Sequence, residues 1–215
     1  MRIFQIGVAG GVGRRLARLL VERGDEVTGM FRDPAQSEAV AALGATPALG
    51  DLINDTVEQL AAKMAQHDAV VFSAGAHGTG SDNTTLIDGR GLEKAADAAR
   101  LAGVSRFVLV SVFPDANRAG ERSEGFEHYM AVKKQADVYL AATDLNWLIV
   151  RPGTLTDDAG DGLVTAGPAI AYGDTRRDNL AAFIAEALHA PGGARRIVEI
   201  TDGSTPVAEA ARATV

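Results

Sequence analysis

Apolar residues gather along the chain in short, β-branched runs: RIFQIGV (2–8), EVTGMF (26–31), ATPAL (45–49), DAVVFSA (68–74), RFVLVSV (106–112), NWLIVR (146–151) and RIVEI near residue 197. Several lack strict polar alternation, which is what strands covered on both faces require. Between the runs the period becomes helical. Val12, Leu16, Leu19 and Leu20 form one stripe, and Val57, Leu60, Ala61 and Met64 form another. Asp55, with Glu58 three residues later, reads as a capping-box-like start to the second stripe. Further helices are expected over 34–43, 85–102, 126–143 and 178–189. Strands alternating with helices predict an α/β fold with a doubly wound parallel sheet, because parallel neighbours need right-handed crossovers.

Composition narrows this picture. The 215 residues suit a single domain over 1–215, with a small C-terminal substrate-side region. A net charge of -7, with no block of Lys or Arg, speaks against nucleic acid and against a membrane surface as partners. Cysteine is absent, which removes disulfides and thiolate chemistry. The opening Met-Arg and brief apolar run are too short for a signal peptide or a span, so a soluble cytoplasmic protein is expected. Monomer and homodimer are equally compatible with the sequence. Two Gly/Asp-rich loops, 115–125 and 154–176, follow strands of the second half and are candidate walls of a cleft for a small-molecule substrate.

The first strand ends in a glycine cluster, Gly7-x-x-Gly10-x-x-Gly13 with Gly11 between, just where a helix begins. Bare amides at a helix N-terminus can receive a diphosphate if side chains stay clear. Arg32 follows the second strand about 20 residues later, where NAD-binding proteins place an acid for the ribose hydroxyls. An arginine there favours a 2'-phosphate, hence NADP over NAD, unless Arg32 is a solvated cation and Asp33 takes the ribose. Downstream, Tyr129-x-x-x-Lys133 puts a phenol and an ammonium on one helical face, where the ammonium can lower the phenol's pKa.

The glycine spacing, the Tyr129–Lys133 pair and the turn Arg151-Pro152-Gly153 together resemble the atypical and extended branches of the short-chain dehydrogenase/reductase superfamily, including NmrA-like and epimerase/dehydratase-like members. The resemblance spans nearly the whole chain and implies a Rossmann fold. It implies that Gly7, Ala9, Gly10, Gly11, Val12 and Gly13 surround the diphosphate, with Asp51 and Leu52 at the adenine. Ser73, Ala74 and Gly75 would lie by the ribose and phosphates, Lys133 on the nicotinamide ribose, and Pro152 beside the nicotinamide. Tyr129 would be the proton donor and Lys133 its tuning partner. Ser111 would be the third catalytic group, although the family often has two consecutive hydroxyl residues where this chain has Ser111 and Val112; Ser111 is either catalytic or merely structural.

The activity implied is NADP-dependent hydride transfer with a small carbonyl, quinone or flavin-like substrate, with NAD still possible as coenzyme. Two alternatives are a non-catalytic NAD(P)-binding redox sensor and an epimerase or isomerase that retains NAD. Asp178 is read as a structural cap. The histidines at 67, 77, 128 and 189 show no metal-ligand spacing, and His128 points about 100° away from Tyr129 on a helix.

Overall fold

Adjacent residues of a strand face opposite ways, so the first strand supplies two cores at once: Ile3 joins one apolar cluster, Phe4 and Ile6 the other. The computed structural model describes residues 1–76, 78–113, 115, 122–192 and 195–215. The chain runs through β1 (Arg2–Ile6), α1 (Gly11–Glu22), β2 (Glu26–Phe31), a 3-10 turn at Pro34–Gln36, α2 (Ser37–Ala41), β3 (Thr46–Leu49) and α3 (Val57–Met64). It continues through β4 (Ala69–Phe72), α4 (Ser81–Asn83), a π-helical stretch Thr84–Arg90, α5 (Gly91–Leu101), β5 (Arg106–Val110), α6 (Glu124–Ala141) and β6 (Asn146–Pro152). The last part holds β7 (Thr154–Thr156), β8 (Leu163–Gly167), β9 (Asp174–Arg176), α7 (Arg177–His189), β10 (Arg196–Asp202), β11 (Thr205–Pro206) and α8 (Val207–Thr214).

The main sheet has nine strands in the order β11-β8-β10-β6-β5-β4-β1-β2-β3. From β3 to β10 all pairings are parallel; β8 joins antiparallel to β10. This is the expected Rossmann-like α/β architecture. Leu16, Leu20, Leu180, Phe183 and Ile184 of α1 and α7 cover one face, and Leu60, Met64, Leu92 and Leu140 of α3, α5 and α6 cover the other. Phe4, Phe72, Phe107 and Leu109 are fully buried or nearly so, each worth roughly 1.5–3 kcal/mol of transfer free energy. The order of strands reverses between β1 and β4, which opens a crevice at their carboxyl ends, the usual ligand position in such sheets.

Several expectations are corrected. The second stripe begins at Thr56, not Asp55: extended Thr56 accepts from Gln59 N while Gln59 Oε1 accepts from Thr56 N, a reciprocal capping box. Asp55 instead accepts from Asp51 N within the preceding turn. The helix expected over 34–43 is a 3-10 turn and one short helix, because Asp33 caps at Ala35 and Pro34 follows it. The loop 154–176 contains β7, β8 and β9, and β7 pairs with β9 through a close approach at Gly153, where a Cβ would stand 1.9 Å from Gly173 O. The short alanine-rich helix α8 is not among those expected. His77 and much of 115–125 lie outside the described residues. Among the described residues no helix is long and apolar enough to cross a membrane.

Candidate functional site

The glycine turn between β1 and α1 is built by close backbone approach. Gly7 has φ +82, and a Cβ on it would stand 2.6 Å from Ala74 N. A Cβ on Gly13 would meet Gly7 O at 2.2 Å, so the helix can sit this near the strand only with glycine there. Buried Gln5 fastens the arrangement by donating from Nε2 to Gly13 O at 2.8 Å. Gly10 is the N-cap of α1 and offers no side chain to its first-turn amides. The turn therefore fits a dinucleotide's diphosphate: the first-turn amides of α1 have no side-chain cap, and the glycines hold strand and helix close with no side chain between them. Gly13→Ala should lower the melting temperature, the overlap costing roughly 1–3 kcal/mol or more, a shift that thermal denaturation measures.

One crevice beside this turn is lined by Gly7, Ala9, Gly10, Arg32, Asp51 and Leu52, with Ala74 and Gly75 as its inner wall. Met30, Phe31 and Gln36 also line it. Arg32 is exposed, whereas Asp33 accepts from Ala35 N at 3.0 Å in capping its own turn. Asp51 accepts from Ile53 N at 2.8 Å and from Asn54 Nδ2 at 2.7 Å. Burial works to raise the Asp51 pKa, yet these hydrogen bonds and the nearby Arg32 charge outweigh it and hold the carboxyl below its ordinary value.

A second cleft, about 760 Å³, adjoins the first across Ala74 and Gly75. Gly11, Val12, Ser73, Ser111, Tyr129, Lys133 and Pro152 all line it, so every expected catalytic position opens on one space. Gly13 lies beneath the turn, its carbonyl held by Gln5, and lines neither cleft. Ser73 Oγ donates to Ile6 O at 3.0 Å, tying the end of β4 to β1.

Lys133 is 3% exposed; its Nζ donates to Val110 O at 3.0 Å and lies 3.7 Å from Asp88 Oδ1. Asp88 is equally buried and accepts from Ala76 N at 2.9 Å. It comes from the π-helical stretch, whose wider turn carries both Thr84 and Asp88 inward. Tyr129 opens on the same cleft, and its environment opposes the expectation of an acidified phenol. Burial, then the Asp88 charge, push its pKa well above the ordinary tyrosine value.

Ser111 Oγ donates to Asp137 Oδ1 at 2.5 Å, and Arg151 Nε donates to Asp137 Oδ2 at 2.9 Å. Burial raises the Asp137 pKa, with the Ser111 hydrogen bond and the Arg151 and Lys133 charges acting against it. Asp178 is not the expected cap: Arg176 is the N-cap of α7, with no side-chain cap bond, and Asp178 in the first turn instead accepts from Arg15 Nε and Gly160 N. His128 Nε2 meets Thr85 Oγ1 at 2.8 Å, away from the Tyr129 role.

Sequence reading missed Asp88, Asp137 and Arg177. Asp137 falls four residues after Lys133 and eight after Tyr129, so a helical projection would have aligned all three. Asp88 had no such signal, since its aim depends on the π-helical register.

Residues 7–191 match a family model described as NAD(P)H-binding. The chain belongs to this NAD(P)H-binding family. Within it, the chain is similar to the uncharacterized sugar epimerase YhfK of Bacillus subtilis, with 36% identity over 212 residues and 98% of each chain covered. It is similar to the structure of a putative NAD-dependent epimerase/dehydratase from Bacillus halodurans, at 31% identity and TM-score 0.90 over 99% of both chains. The oxidoreductase ylbE from Lactococcus lactis shares the fold at TM-score 0.85 and 24% identity, covering 99% of this chain and 96% of that one. These similar proteins carry both epimerase and oxidoreductase names, so the names do not decide the class of reaction.

Proposed function

We propose that this NAD(P)H-binding protein is an NADP-dependent reductase acting on a small carbonyl, quinone or flavin-like acceptor. The observation that carries the reading is geometric: the Tyr129 phenol, with Lys133 and Ser111, lines the cleft that also takes in Gly11 and Val12 of the glycine turn. Reduction of such an acceptor requires a proton to accompany the hydride, and a protonated phenol on the cleft is a group that can give it. An epimerase working through a tyrosinate base would need the opposite arrangement. A reduced nicotinamide, when bound, supplies the hydride.

The chain's own residues supply the rest. The amides of Gly11 and Val12 receive phosphate, Arg32 takes the 2'-phosphate, and Lys133 holds the nicotinamide ribose while its ammonium is steadied by Val110 O and Asp88. Arg32→Ala should weaken NADPH binding about tenfold, the loss of one charge-assisted contact, while leaving NADH affinity unchanged. Titration calorimetry with both coenzymes measures this; equal effects on both would remove the 2'-phosphate assignment.

One observation favours a second reading, a coenzyme-binding regulator without turnover. The Ser111 hydroxyl is engaged by Asp137, so its proton is not directed at a substrate carbonyl. Coenzyme consumption against a panel of quinones, flavins and aldehydes separates the two. Binding of NADPH with no consumption by any of them supports the regulator.

A further inference from the structure

Arg177, the first residue of α7, lays its side chain across Gly11, the first residue of α1: a Cβ on Gly11 would stand 2.9 Å from both Cδ and Nε of Arg177. Glycine at position 11 is thus what lets a guanidinium reach the mouth of the diphosphate turn. Electrostatically this is an adverse place for a cation, because the N-terminus of a helix is its positive end. An anion resolves the conflict by meeting the amides and the guanidinium together. Arg177 lines the same cleft as Gly11, Val12 and Lys133.

The resident anion is poorly committed to it. Asp157 Oδ2 lies 3.1 Å from Arg177 Nη1, but Oδ1 of the same carboxylate lies 3.3 Å from Arg15 Nη2. Arg15 is already served by Asp178 at 2.5 Å and by Gly11 O at 2.9 Å. Asp157 itself is 67% exposed, against 21% for Arg177. One solvated carboxylate is therefore shared between two guanidiniums of nearly equal exposure, and the Arg177 one lines the cleft beside the turn.

We propose that Arg177 is a clamp for the coenzyme's diphosphate, and that Asp157 competes with the dinucleotide for it. The inference rests on the coenzyme reading above and adds a residue and a competitor to it. Both coenzymes carry the diphosphate, so the signature differs from that of Arg32.

The test is titration calorimetry of wild type and variants with NADPH and with NADH. Arg177→Gln should weaken both coenzymes by about tenfold, the loss of a charged hydrogen bond to phosphate. Asp157→Asn should tighten both severalfold, by freeing Arg177. Arg177→Lys should recover part of the loss, since it keeps the charge but not the planar fork. If Arg177→Gln does not fold, the Lys and Asp157→Asn variants decide alone: weaker binding in the first and tighter in the second support the clamp. Unchanged affinity in Arg177→Gln or in its Lys replacement, or weaker binding in Asp157→Asn, overturns it. Wild-type protein that binds neither coenzyme overturns the coenzyme reading itself, whereas wild-type binding with indifferent Arg177 variants overturns only the clamp.

Discussion

Tyr129→Phe should reduce the rate of coenzyme oxidation by about 10²–10⁴-fold, the range usually lost with a positioned proton donor. In barrier terms that is roughly 3–5 kcal/mol. The side chain keeps its ring and its packing on α6, so NADPH affinity and the melting temperature should stay near wild type. The loss should therefore fall on kcat. The pH profile supplies a second check with a definite sign. Burial and the Asp88 charge raise the phenol's pKa, so Tyr129 remains the protonated donor beyond the ordinary tyrosine range. The wild-type rate should show no alkaline decline attributable to Tyr129 at or below pH of about 10, the unperturbed value. A decline beginning near neutral pH, absent in Tyr129→Phe, would mean that the phenol is acidified instead. Unchanged turnover in Tyr129→Phe would move the proton elsewhere.

Lys133→Met should destabilise the fold by about 3–5 kcal/mol, because it removes the cation from a pair in which both partners are almost wholly buried. Asp88, which lines the same cleft, would then keep only Ala76 N–H as a donor from the residues named here. Val110 O would lose its Nζ donor as well. The double variant Lys133→Met with Asp88→Asn removes the stranded charge and should recover a large part of the loss. Chemical denaturation of the single and double variants measures the coupling. Additive losses would show that the 3.7 Å pair contributes nothing specific to stability.

The fold was readable where burial imposes a pattern. β1, β4, β5 and β6 are covered on both faces, so their buried residues are apolar in succession, buried Gln5 of β1 excepted, and α1 and α3 have one face in the core and one in water. The glycine turn was readable because Gly7 and Gly13 stand where no side chain fits. What stayed hidden depends on contacts far apart in sequence. Nothing near Asp88 announces a π-helical stretch or a partner 45 positions away at Lys133. The strands β7 and β9 have three residues each, too few for any period to register, and they pair across 17 intervening positions. Ser111 was legible as the hydroxyl at the end of β5, but its direction follows from Asp137, which is brought to it by the packing of α6. The sequence favoured Arg32 as the ribose contact, with Asp33 as the alternative; both are exposed, but Arg32 lines the crevice while Asp33 caps its own turn at Ala35 N.

The account turns on a reduced dinucleotide sitting in the crevice between β1 and β4 with Arg32 at its phosphorylated ribose. Calorimetric titration of the unmodified protein with NADPH and, separately, NADH addresses this most directly. The expected result is saturable binding of both at one site per chain, with NADPH the tighter by about tenfold or more. Preference for NADH, or no heat and no thermal protection from either coenzyme, would contradict it.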